Sequence, residues 1–381
     1  MNGFSVRRLV RLRGLLERHV ESRLVPGLVV VLARHGQVHA EATGTLAFEG
    51  AGSATPMAGD TICRIASMTK PIAAACAMTL VEDGTLRLDD PVDALLPELA
   101  EMSVLADPDG SLDDTVPAVR PITLRDLLAF TLGTGMVLDA VPIADELDAL
   151  GEPPPDEWIR RLGELPLVHQ PGSRWMYDTG SNVLGVLIAR ATGVSFGEAL
   201  HERVFAPVGM TDTAFSVPAA KLDRFATAYA QDKPEVEDAP DGWWSRPPVF
   251  ESGGGGLVST ADDLLAFGSA LRAGGSGLLS RAAVTLMTSD RLTPAQKAAS
   301  GFWPGYFDDV SWAFGMNVRT RRTGLGPSVG TYGCPGKYGT AWYHDPAEDL
   351  TTIVMMQKAH AGDQRLPLWS DFWTTIYQAI D

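Results

Sequence analysis

Ser67 and Lys70 form the two ends of Ser67-Met-Thr-Lys70, the only Ser-x-x-Lys in the 381 residues. The tetrapeptide sits where a polar turn gives way to an alanine-rich run, Ile72 to Glu82, of helical composition. Residues three apart on a helix share a face, and a hydroxyl near a helix N-terminus meets backbone N–H groups that lack intrahelical acceptors. The spacing therefore brings an amine within reach of a serine oxygen. A serine in that position can act as a nucleophile activated by a neighbouring base, as acyl transfer requires. Burial beside the serine would disfavour the charged form of Lys70 and let it share the hydroxyl proton. The tetrapeptide alone is weak evidence, because a chain of this size should contain about one by chance at average composition.

Composition narrows what surrounds this pair. Hydrophobic residues make up 45% and charged residues 20%, so the chain can bury a large core. A net charge of −16 speaks against nucleic acid or an anionic membrane surface as partner, since both need basic patches. Cys63, Cys76 and Cys334 are odd in number and far apart, which fits reduced thiols and no disulfide framework. The arginine-rich stretch from Met1 to Leu24 has amphipathic periodicity without an uninterrupted apolar run, so it reads as a helix packed on a sheet and not as a signal peptide or a span. These features place the protein in the cytoplasm. The seven histidines and three cysteines offer no zinc motif, and the glycine run at 253–256 lacks the Lys-Ser/Thr of a phosphate loop, so neither metal nor cofactor is expected.

The elements that must position the pair follow from periodicity and turn residues. Leu28 to Ala33 and Val38 to Thr43, separated by Arg34-His-Gly-Gln37, read as a β-hairpin. The helix after Ser67 should stop near Gly84. Between about Leu95 and Pro248, short helical segments (Thr123–Phe130, Asp156–Leu162, Asn182–Thr192, Phe196–Val204) alternate with Pro-rich and acidic loops. Beyond the glycine run come a helix (Ala261–Arg272), β-type runs (Trp312–Thr320, Thr340–His344, Leu350–Gln357) and a closing helix (Trp369–Ile380). The expected architecture is α+β: an antiparallel sheet built from both ends of the chain and flanked by helices (residues 1–94 and 249–381), with an inserted, mostly helical domain (95–248).

Further segments strengthen the case for acyl transfer. Arg64-Ile-Ala-Ser-Met-Thr-Lys-Pro71 continues into Leu80-Val-Glu-Asp-Gly-Thr-Leu-Arg-Leu-Asp-Asp-Pro91, and Ile122-Thr-Leu-Arg-Asp-Leu-Leu128 follows. Then come Gln170-Pro-Gly-Ser-Arg-Trp-Met-Tyr177, Leu184-Gly185, Ser252-Gly-Gly-Gly-Gly-Leu-Val-Ser-Thr-Ala-Asp-Asp263 and Asp345-Pro346. In this order and spacing, from about Pro26 to Gln357, the chain resembles the serine β-lactamase-like superfamily, and within it the family VIII carboxylesterases. The resemblance implies the β-lactamase/DD-peptidase-like fold and an acyl-enzyme on Ser67. Tyr177 matches the tyrosine that relays a proton between nucleophile and leaving group. The lactamase pattern has Asn two residues after that tyrosine. Here Tyr177-Asp178-Thr179 departs from it, which is easier to reconcile with esters than with β-lactams.

The third family motif, Lys-Thr-Gly in lactamases, falls on Cys334-Pro335-Gly336. Neither Cys nor Pro supplies the usual side chain, but the backbone N–H of Lys337, with that of Ser67, would form the oxyanion hole. Lys337-Tyr338-Gly339 is an alternative, shifted version of the motif. Cys334 reads as a small buried residue and not a second nucleophile. Gly336, Gly254, Trp244 and Phe250 are candidate substrate contacts, with Trp243, Trp303, Tyr306 and Phe307 as further aromatic candidates for an acyl pocket. Gly326-Pro-Ser-Val-Gly330 matches the nucleophile elbow Gly-x-Ser-x-Gly, but the residues after it cannot continue a helix as an elbow requires, and the imagined bases His344 and His360 crowd the final fifty-odd residues.

The resulting expectation is a serine hydrolase of small carboxylic esters, with Lys70 and Tyr177 as coupled base. An acyltransferase or an amide, β-lactam or D-peptide hydrolase would use the same acyl-enzyme. A binding module without catalysis has no chemical need for all three residues. The expected partner is a small-molecule ester, with no nucleic acid and no membrane span. Oligomeric state is left open.

Overall fold

The computed structural model describes residues 3–137, 141–230, 235–272, 277–359 and 367–380. Its organising element is a seven-stranded antiparallel sheet. Strands β1 (Gly27–Arg34) and β2 (Gln37–Gly44) come from the beginning of the chain. Strands β3 (Val310–Trp312), β4 (Asn317–Arg319), β5 (Tyr332–Pro335), β6 (Ala341–Asp345) and β7 (Leu350–Met355) come from its end. The order across the sheet is β2-β1-β7-β6-β5-β4-β3, so the join between the two ends is the ladder from Val29–Met355 to Arg34–Leu350.

β1 is almost wholly buried because helices cover both sheet faces, which is why it reads Leu-Val-Val-Val-Leu without alternation. Leu28, Val30 and Leu32 pack with Leu12 and Leu16 of helix α1 (Val6–Glu21) and with Phe372 and Ile376 of the closing helix Pro367–Tyr377. The expected packing of the amphipathic N-terminal helix on the sheet is thus observed. Val29 and Val31 face the larger core, which contains helices α2 (Thr69–Glu82) and α3 (Ala261–Arg272) and reaches the helices between residues 124 and 205. The hairpin turn places His35 and Gly36 at φ 49° and 77°, the doubly positive geometry that matches strand twist.

One expected strand is corrected. The run Trp312–Thr320 is not one strand, because the Ala313 amide donates to the Met316 carbonyl at 2.8 Å and closes a turn between β3 and β4. Gly315 makes that turn at φ 70°, where a Cβ would lie 2.7 Å from the Lys70 carbonyl oxygen, so the turn is seated against α2. The segment from Phe196 is α-helical only to Leu200 and then widens to π-type turns over His201–Phe205.

The segment that delivers Ser67 is anchored by Arg64, three residues before it. Cys63–Arg64 pairs with Val258–Ser259, which fastens the Ser67 segment beside the glycine run. The Arg64 side chain is fully buried: it binds Asp238, donates to the Ala226 carbonyl at 2.6 Å and lies 3.9 Å from the Phe225 ring centroid. Removing one partner of such a pair strands the other charge in a medium that solvates it poorly. Asp238→Ala should therefore lower stability by about 3–5 kcal/mol. Arg64→Met combined with Asp238→Leu should lose less than the single change, as measured by urea unfolding.

Candidate functional site

Ser67 lies in a 3₁₀ turn, Ala66–Met68, that runs directly into α2. Ala66 is held at φ 45°, a left-handed conformation that costs a residue with a Cβ about 1–2 kcal/mol. The surroundings fix it: the Ile65 amide donates to the Leu257 carbonyl at 3.0 Å, and the Leu257 amide to the Thr69 hydroxyl at 3.2 Å. α2 is buried on nearly every side, and its alanines let neighbouring backbone come close, so Lys70 has no route to solvent and is 0% exposed.

The Lys70 ammonium has three acceptors. Nζ donates to Ser67 Oγ at 3.1 Å and to the Gly254 carbonyl at 2.5 Å, and forms an ion pair with Asp178 Oδ1 at 2.6 Å. It also stands 4.4 Å from the centroid of the Tyr177 ring. An ammonium has three donors and no acceptor, so this coordination matches the charged form. The expectation that burial would neutralise Lys70 is corrected accordingly. Burial does push its pKa down, but the Asp178 carboxylate, through its charge and its contact with the ammonium, outweighs that and raises it.

Tyr177 stands beside the same pair, near enough for the Ser67 side chain to bear on its titration. Its ring packs against Phe130, Trp175, Phe302 and Trp312 with centroids 5.2 to 5.8 Å apart. This apolar setting raises the phenol's pKa against the opposing pull of Lys70, so Tyr177 rests protonated. Tyr306 and Phe307 stack around Trp175. These two expected pocket aromatics therefore act as the packing behind Tyr177.

The glycine run faces the pair from the other side. Asn182 Oδ1 accepts from the Ser252 hydroxyl at 2.9 Å and from the Gly254 amide at 3.0 Å, which aims the Gly254 carbonyl at Lys70. The third-motif segment arrives on β5, where Cys334 Sγ lies 3.1 Å from the Ser67 carbonyl oxygen. Burial pushes that thiol up to about 12, so it is an inert neighbour. Gly336 passes so near the Ser67 segment that a Cβ would meet the Ile65 carbonyl oxygen at 2.4 Å. The Lys337 ammonium is held by Glu237 at 2.5 Å, and the Tyr338 hydroxyl donates to the same carboxylate at 3.0 Å. The side chain of Lys337 is therefore engaged away from the Ser67 cluster, against the shifted-motif alternative. Among the described residues, the hydrogen bonds outside helices and strands do not use the backbone N–H of Ser67 or of Lys337.

A cavity of about 280 Å³ adjoins the cluster through Asp178 and Asn182 and is floored by Phe250 and Trp158, whose rings lie 5.1 Å apart. Phe250 lines this cavity. Trp244 is not part of that wall: its indole donates to the Gly256 carbonyl at 2.8 Å, and its ring lies beside Arg64 and Tyr338. Trp243 is 83% exposed. A larger open cleft of about 890 Å³, bounded by Arg281, Arg319, Tyr332 and His344, contains none of the Ser67 cluster. The Gly-x-Ser-x-Gly pentapeptide leads into strand β5 and not a helix. The Ser328 amide donates to Asp345 at 2.9 Å, while His344 pairs with the Thr351 hydroxyl and is pushed down to about 4 by burial. His360 lies outside the described residues. Among the described residues no group of three or more His, Cys, Asp or Glu is placed to hold a metal.

Asp178 is the member that motif reading missed. Its signal was present as the departure from the lactamase pattern after Tyr177, but sequence order alone does not reveal that this side chain turns to Lys70.

Comparison with known proteins agrees with this geometry. The β-lactamase family model matches residues 12–370. Protein Rv1367c of Mycobacterium tuberculosis is 41% identical over 316 residues, covering 79% of each chain. Esterase EstB of Burkholderia gladioli is 33% identical over 376 residues, covering 92% of this chain and 91% of its own. The solved structure of EstCE1, described as a hydrolase with promiscuous acyltransferase activity, superposes with a TM-score of 0.79 at 26% identity, covering 97% of this chain and 98% of its own.

Gly254 offers a direct check of the site's packing. A Cβ there would lie 2.9 Å from Asp178 Oδ1 and 3.1 Å from Asn182 Oδ1, crowding both groups that organise Lys70. Gly254→Ala should slow labelling of Ser67 by a fluorophosphonate about tenfold or more, as a misplacement on the ångström scale does. Its melting temperature should stay within a few degrees of the parent's.

Proposed function

The chain belongs to the β-lactamase family, and within it we propose an esterase of the family VIII type that cleaves small carboxylic esters through an acyl-enzyme on Ser67. It is an enzyme of the serine hydrolase class, as the family match and the similarity to EstB establish. The observation that carries the finer reading is the convergence of three groups: Ser67 Oγ is 3.1 Å from Lys70 Nζ, which lies 4.4 Å from the centroid of the Tyr177 ring.

In this reading Ser67 attacks the ester carbonyl, and the Lys70–Tyr177 pair manages its proton. The departing alkoxide is protonated from the same pair, and water repeats the sequence to release the acid. The amides of Ser67 and Lys337 stabilise the oxyanion. The cavity floored by Phe250 and Trp158 takes an apolar portion of the substrate. Three buried, unpaired cysteines fit a reducing compartment, and we place the protein in the cytoplasm. No single helix among the described residues is long and apolar enough to cross a membrane.

A second reading is transfer of the acyl group to an alcohol, favoured by the description of EstCE1. The two differ only in what resolves the acyl-enzyme. The purified protein should hydrolyse p-nitrophenyl acetate and butyrate, and Ser67→Ala should abolish the reaction, with rates falling by about 10³-fold or more. A chromogenic cephalosporin should turn over far more slowly than the esters. Faster p-nitrophenol release on adding a simple alcohol, with the new ester appearing in the products, would identify the transferase. Unchanged ester hydrolysis by Ser67→Ala would remove the proposal.

A further inference from the structure

With Lys70 an ammonium and Tyr177 a phenol, neither resting group can take the Ser67 proton. The nearest base in contact with them is the Asp178 carboxylate, 2.6 Å from Lys70 Nζ. The backbone presents Asp178 in an unusual way. It sits at φ 82°, ψ −66°, and the Thr179 amide donates to the Tyr177 carbonyl at 3.2 Å across it. This is a γ-turn of the rare, strained hand, which persists only where surrounding structure enforces it. The same Tyr177 carbonyl also accepts from the Met136 amide at 2.7 Å, and the Asp178 carbonyl from the Ser181 amide at 2.9 Å.

Asp178 immediately precedes the helix Thr179–Thr192, where an aspartate ordinarily caps the helix by accepting from its first free amides. Here its side chain makes no capping hydrogen bond and goes to Lys70. The carboxylate is 34% exposed and lines the 280 Å³ cavity, so it joins the sealed lysine to the substrate side.

We propose that Asp178 is a positioning residue that completes the reactive cluster, its carboxylate holding the Lys70 ammonium in place and receiving one of its protons when Ser67 attacks. The inference rests on Ser67 being the nucleophile. In the step, the Nζ–H facing Asp178 breaks and Oδ1–H forms, leaving a neutral amine. Rotation about Cε–Nζ turns the lone pair to Ser67. As the Ser67 Oγ–carbon bond forms, Oγ–H breaks and a new Nζ–H forms. The negative charge that left Asp178 now resides on the tetrahedral oxyanion beside a lysine that is again cationic, so charge and protons balance. Collapse expels the alkoxide, which takes a proton from the Tyr177 hydroxyl. Tyr177 is reprotonated from Lys70, and Lys70 from Asp178.

The groups that face this pair are few. α2 contributes Lys70 and β5 the buried Cys334 thiol, while the Tyr306 phenol bears on Tyr177. Asp148 and Glu152 also line the cavity. No arginine or second lysine lines that cavity among the described residues.

The test is the pH dependence of kcat/KM for a p-nitrophenyl ester in the parent protein, Asp178→Asn, Asp178→Glu and Ser67→Ala, with melting temperatures to verify folding. Asp178→Asn keeps the shape but not the charge. Its kcat/KM at neutral pH should fall about 100-fold or more, in the range general-base removal produces. Its acid limb should move up by about two pH units or more, because activity now waits for Lys70 itself to lose a proton. Asp178→Glu should restore the parent's limb with a loss of about tenfold or less. The proposal is overturned if Asp178→Asn keeps the parent's acid limb, whether its rate is unchanged or reduced, since a merely structural role lowers the rate without moving the limb. Full ester turnover by Ser67→Ala would instead overturn the nucleophile assignment, and the proposal with it.

Discussion

The burial of one ammonium group governs how this molecule is arranged. A lysine with no exposure to water is stable as a cation only if every donor finds an acceptor and its charge finds a counter-charge. Lys70 meets these conditions through Ser67, one helical turn away, and two groups from distant stretches of chain, the Gly254 carbonyl and the Asp178 carboxylate. The first comes from its own helix, the second from a glycine run fastened beside that helix by a two-residue ladder, and the third from the head of another helix. Each of these attachments needs close backbone approach, which explains the alanines of α2 and the glycines at 254, 315 and 336.

The same constraint links folding to reactivity. Two residues at the site, Ala66 and Asp178, are held at positive φ although each bears a Cβ. Strain of this kind persists where surrounding packing leaves no alternative, and here that packing is the large core under α2 and the buried Arg64 anchor upstream. The aromatic box about Tyr177 works in the same direction, since it keeps water from the phenol and holds the ring beside Lys70. Preorganisation of this type gives a serine hydroxyl oriented partners before any substrate arrives.

Much of this was legible in the sequence because it depends on local pattern. The hairpin at residues 27–44, the helix after Ser67 and the sheet strands near the C-terminus follow from runs of β-branched residues, alanine content and turn residues, all of which act over a few positions. The Ser67–Lys70 contact follows from helical spacing alone. What was not legible depends on tertiary placement. Gly315 divides an apparently continuous β run because its turn is seated against Lys70 of α2, 245 positions away in the chain. Trp244 looked like a pocket residue by type, yet it shields Arg64. The charge state of Lys70 was misjudged for the same reason: burial was foreseeable, but the carboxylate that reverses its effect enters through a backbone turn that no side-chain pattern announces.

Asp178 also bears on how a serine hydrolase can dispense with histidine. In a Ser-His-Asp triad the carboxylate orients a base that is neutral at rest. A lysine in that position begins with one proton too many, so it can serve as a base only if a neighbour removes that proton or if its own affinity for the proton is depressed. Depression requires an uncompensated, apolar pocket, whereas this site supplies a carboxylate at 2.6 Å, which does the reverse. The arrangement therefore favours relay over depression. A relay of this kind needs its acceptor close, charged and unable to swing away, and a strained turn at the head of a packed helix meets all three requirements.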